Sequence, residues 1–130
     1  MAVELLPEDP SPGGQLVWVG NPGTAPFDLR CWMVGSGRTG QTAIVGAETV
    51  VPSGGVARLI PPRGLLDATD LVQLFAPDGS LIDETPELVD DAYDDQIWYR
   101  TPGDEWRFGR TEFAGEVIDG VLSEEPPDGC

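Results

Sequence analysis

An antiparallel β-sandwich of about seven or eight short strands is the fold class that the chain predicts. Three observations carry that expectation. Short runs rich in branched and aromatic residues recur along the chain, separated by clusters of Gly, Pro, Ser and Asp. The composition, 17 Gly and 13 Pro with 40% hydrophobic residues in 130, suits many strands joined by turns. No apolar pattern at helical spacing is long enough for a helix. A chain of 130 residues makes one ordinary domain.

Ala2 to Leu6 reads as a first strand at a sheet edge, followed by the turn cluster PEDPSPGG. Gln15 to Val19 reads as the second, with Leu16 and Trp18 on one face and Val17 and Val19 on the other. Asn-Pro-Gly at 21–23 predicts a type II turn, Pro22 presetting φ and Gly23 taking the positive φ. Phe27 to Val34 then reads as one strand carrying Cys31 and Trp32 into the core. GSGRTG at 35–40 predicts a hairpin loop, since it lacks the GK[ST] ending of a phosphate loop.

Gln41–Val45 and Thr49–Val51 predict two strand pieces, and Val56–Ile60 a further strand stopped by Pro61 and Pro62. RGLLDATD has room for one helical turn. Leu71–Phe75 alternates between two faces, Pro77-Asp78-Gly79 is a hairpin turn, and Leu81–Asp83 pairs back across it. Trp98–Arg100 and Trp106–Phe108 make the last two strands, tryptophans inward and arginines beside acids.

Four motifs in this order resemble those of the lamin-tail domain. They are N-x-G-x-x-P-x-D-L-x-x-W (Asn21 to Trp32), V-x-P-S-G-G (Val50 to Gly55), D-L-V-Q-L-x-x-x-D-G-x-x-I-D (Asp70 to Asp83) and W-Y-R-x-x-G-x-x-W (Trp98 to Trp106). The resemblance runs from Val3 to Phe108 and implies an immunoglobulin-like sandwich over residues 1–110, with residues 111–130 as a C-terminal extension. It brings no catalytic residues. The basic surface of the lamin version is absent, so DNA binding does not come with it.

Charge narrows the chemistry. The net charge is −16, and all seven basic residues are Arg, with no Lys and no His. That excludes Ser-His and Cys-His nucleophile pairs, His metal ligands and a lysine Schiff base. Residues 1–65 carry a net of −1 and residues 66–130 a net of −15, a field that repels nucleic-acid phosphate and anionic lipid. Asp83 to Asp95 holds seven carboxylates in thirteen residues. A solvated loop, a calcium site, a carboxylate pair and a charge-steered docking surface compete for this segment; its spacing lacks the EF-hand pattern, and no metal or cofactor is expected.

Cys31 and Cys130 are read as free thiols, because a bridge would have to pin the last residue to a core strand; free thiols suit a reducing compartment. The N-terminus has acids where a secretory signal has positive charge, and no run is long enough to cross a membrane. The expected place is therefore cytoplasmic or virion-associated.

The function that these features predict is a non-enzymatic structural or interaction module within a larger assembly, such as a phage capsid decoration or tail protein. Candidate partner-binding residues are Asp90, Asp91, Tyr93, Asp94 and Asp95 in the acidic segment, and Phe113, Val117, Ile118, Val121 and Leu122 in an apolar C-terminal segment. On this reading, removal of residues 111–130 leaves the sandwich folded. The alternatives are an acidic binder that masks a basic protein surface by imitating nucleic acid, and an accessory domain of a nuclease or hydrolase.

Overall fold

The computed structural model describes residues 2–4, 15–62, 64–66, 69–89, 97–101, 103, 105–109, 115–126 and 129–130. Among them the chain is all-β. β1 (Ala2–Glu4), β2 (Leu16–Gly20), β7 (Val56–Ile60), β12 (Ile97–Arg100) and β13 (Trp106–Gly109) form one layer, in the order β7-β2-β1-β12-β13. β4 (Met33–Ser36), β5 (Thr42–Val45), β9 (Val72–Phe75) and β10 (Leu81–Glu84) form the other, in the order β10-β9-β4-β5. Two-residue ladders pair β3 (Phe27–Asp28) with β6 (Val50–Val51), and β8 (Thr69–Asp70) with β11 (Leu88–Val89).

β14 (Val117–Ser123) joins the layers. It runs parallel to β7 from Val117↔Val56 to Val121↔Ile60, then crosses to pair antiparallel with β5 at Leu122↔Val45 and Ser123↔Ile44. The C-terminal segment is thus the central strand of the fold, and placing it outside a sandwich of residues 1–110 is corrected. Alternation explains its course: Gly120 and Leu122 face inward, while Val117, Asp119 and Val121 face out. Gly120 leaves room there: a Cβ would lie 2.9 Å from Leu59 Cδ2 and 3.1 Å from Thr49 Cγ2, so those side chains would have to shift to admit one.

Between the layers lies a core of Val17, Val19, Ala57 and Leu59 from one side and Val34, Ala43, Val45, Val72 and Leu74 from the other, with Leu65, Leu66 and Leu122. Trp98 and Trp106 pack against it. On the outer face of the first layer, Trp18 and Val56 make a second small cluster with Leu16 and Tyr99, as alternation along β2 requires.

Three local expectations change. β1 pairs with β2 and β12, so it is an interior strand. Phe27 to Val34 is interrupted by a turn closed by Trp32 N–H donating to Leu29 C=O (3.0 Å), with Cys31 at φ 73°. The Asn21 turn is held by its side chain: Oδ1 accepts the N–H of Gly23 at 3.0 Å, and Gly23 is not at positive φ.

Cys31 and Cys130 form a disulfide with Cα atoms 5.5 Å apart, so the free-thiol reading is corrected. Topology supplies the reason. The Cys31 N–H donates to Val45 C=O, and Val45 pairs with Leu122. The chain leaving β14 therefore needs to pass only β5 to reach the turn.

Candidate functional site

Residues distant in sequence converge where β2 ends. Asn21 ties two loops together: its side-chain amide donates to the carbonyls of Ala25 (2.8 Å) and Val51 (3.0 Å), its N–H to Gly55 C=O, and its C=O accepts from Gly54 N–H. Ser53 Oγ donates to Gly23 C=O at 2.7 Å. Asp28 Oδ1 accepts the backbone N–H of Thr49 (2.9 Å) and of Arg30 (3.0 Å), which fastens β3 and the following turn to the β6 side.

This frame holds an apolar groove of about 200 Å³ lined by Phe27, Leu29, Trp32, Val51, Leu74 and Ile82, with Val19, Gly20, Asn21 and Pro22. Phe27 stands edge-on to Trp32, centroids 5.3 Å apart. Phe27 is 43% exposed and Ile82 54%. Ile82 reaches the groove because the β9–β10 ladder slips between Leu81 and Asp83, a bulge that re-aims its side chain. None of the lining side chains carries a titratable group, so the groove offers shape and apolar surface but no proton donor or acceptor of catalytic type.

Two N–H groups, first that of Thr49 and then that of Arg30, hold the Asp28 carboxyl below its ordinary value of 3.8. A depressed carboxylate contributes stability that is complete above the unfolded-state value and fades as the pH falls through the lower folded one. Asp28→Asn should therefore flatten the fall of the melting temperature with pH below about 3.8. Asp28→Ala, losing both bonds, should cost about 1–2 kcal/mol at neutral pH. Thermal melts across that range check both.

Of the residues singled out in the sequence, Asp90, Asp91, Tyr93, Asp94, Asp95 and Phe113 lie outside the described residues. Leu122 is 3% exposed, so partner binding by it is corrected: it belongs to the interior of its own chain, while Ile118 is partly buried against the core. Val117 and Val121 face outward, 43% and 64% exposed. The start of the acidic segment is pinned, Arg100 meeting Asp83 at 2.8 Å while lying over Trp106. Trp98 Nε1 donates to Val89 C=O, and its ring tilts against Phe108.

The groove itself went unread in the sequence. Phe27 and Trp32 counted as parts of one strand. Ile82 carried a signal, since the consecutive apolar pair Leu81-Ile82 after the Pro77-Asp78-Gly79 turn breaks strict alternation. Among the described residues, no helix is long and apolar enough to cross a membrane. Comparison with family models, with curated proteins and with solved structures finds no match to this chain.

Proposed function

We propose that this chain is a non-enzymatic protein-interaction module that docks within a larger assembly through the Phe27–Trp32–Ile82 groove. The observation that carries the reading is the groove's composition: exposed aromatic and branched side chains, beside loops joined by the Asn21 and Asp28 hydrogen bonds, with no ionisable group among the lining residues. Exposed apolar clusters framed by polar surface serve recognition.

A lamin-tail-like scaffold is part of the proposal. Asn21, Asp28, Ser53, Gly54 and Gly55, which carry the resemblance, join two loops in one hydrogen-bonded unit. The disulfide supports a working place where thiols are oxidised, as on a virion exterior rather than in a reducing cytoplasm. The charge of the second half favours a basic partner, which brings in the acidic-binder alternative as a property of the same module.

Phe27→Asp puts a charge into the groove mouth at a half-exposed position, so the fold should survive. Proteins co-purifying with the chain from its own host should fall about tenfold or more in this variant, with an unchanged circular dichroism spectrum. Unchanged co-purification would remove the groove from the function.

A further inference from the structure

We infer that the groove and the β10 edge act together, taking an extended, basic segment of a partner protein as an added strand. This rests on the interaction-module reading and names the docking mode and the partner's chemistry. Three observations converge. β10 stands at the end of the sheet order, with β9 as its ladder neighbour among the described residues. Leu81 and Ile82 on that strand are 50% and 54% exposed. A strand at the end of a ladder that exposes apolar side chains can take an added strand, in which main-chain hydrogen bonds supply affinity and a side-chain pocket supplies register.

The groove is that pocket. Ile82 belongs both to the edge and to the groove wall, so a strand laid along β10 has an apolar receptor for one of its side chains. Charge fixes the occupant. Of the five carboxylates of residues 69–89, Asp70 is buried against Ser36 and Asp83 is paired with Arg100, which leaves Asp78, Glu84 and Glu87 exposed, with no basic residue in that stretch. Asp78 and Glu84 are exposed on the turn and the edge strand. Alternating Arg and Leu in a partner would place leucines on one face of the new strand and guanidinium groups on the other, opposite these carboxylates.

The test titrates the full, oxidised chain with three synthetic peptides and follows backbone amide and indole signals by NMR. The first alternates Arg and Leu, the second replaces every Arg by Glu, and the third keeps Arg and Leu but carries N-methylated amides along one edge. The first should bind with a Kd of about 10–100 μM and shift the amides of residues 80–84 together with the Trp32 indole. The second and third should each bind about tenfold more weakly or less, as should the first to an Ile82→Asp chain that melts like the wild type.

Equal binding of the Arg and Glu peptides, shifts centred on β13 or β14, or no binding of the Arg peptide would each overturn strand addition at β10. None of those results touches the interaction reading itself, which stands or falls on the Phe27→Asp co-purification.

Discussion

A chain ending at residue 110 should not fold. β14 makes five register pairs with β7 and two with β5, and among the described residues it alone connects the two layers in the ladder order. Its removal uncovers the core beside Leu59 and Val45, takes away Leu122 and Ile118, and deletes one end of the disulfide. Burial of Leu122 is worth about 1.5–3 kcal/mol, and that of the partly buried Ile118 less. With the lost ladder and cross-link, the total rivals the roughly 5–15 kcal/mol that stabilises a domain. The truncated chain should show collapsed amide dispersion in an NMR spectrum and no cooperative melt. A folded truncation would mean that β14 is an accessory, as the sequence boundary at 110 had it.

Reduction of the Cys31–Cys130 bond has the next largest effect. The bridge spans 99 positions, so it restricts nearly the whole unfolded chain. Closing a loop of this size is worth roughly 4–5 kcal/mol in the chain-entropy account, with measured values more often about 2–4 kcal/mol. The melting temperature should fall by about 10–15 °C on reduction. Cys130→Ser should melt like the reduced wild type and be indifferent to reductant. The bond also clamps the Leu29–Trp32 turn, which gives two walls to the groove, so reduction should weaken docking along with stability. Equal melting temperatures with and without reductant would show that the cross-link is absent or idle.

Much of the sandwich was legible because its signals are local. Val17 and Val19 against Leu16 and Trp18 give β2 its two faces, and the Asp78-Gly79 turn, with Gly79 at φ 88°, gives the β9–β10 hairpin. The Trp98–Trp106 stretch gives the β12–β13 hairpin by the same logic. What was not legible depends on contacts between remote segments. β14 was read as part of a C-terminal extension because the resemblance ends at Phe108, and Gly115 and Gly120 offer no strand signal of their own. Both glycines are places where another part of the chain comes close: Leu59 at Gly120, and the carbonyl of Gly54 at Gly115.

The disulfide was missed for the same reason. Val45 brings Cys31 and the end of β14 to opposite sides of one strand, and nothing in the spacing of two cysteines 99 positions apart announces that. The groove likewise draws on β2, the turn after β3, β6, β9 and β10, so its lining is dispersed across residues 19 to 82. The acidic character was plain from composition. Its consequence, a preference for a basic strand at one edge, needed the position of β10.

The most direct measurement of the docking claim is site-specific photo-cross-linking in the native assembly. A benzophenone side chain at position 82, in the groove wall, should form one recurrent adduct with a partner protein. The same group at position 41, exposed in the β4–β5 loop, should form none. Fragmentation of the position-82 adduct should map to an extended segment rich in Arg or Lys. Adducts from position 41 and none from position 82, or a cross-link into an acidic or helical segment, would contradict the account.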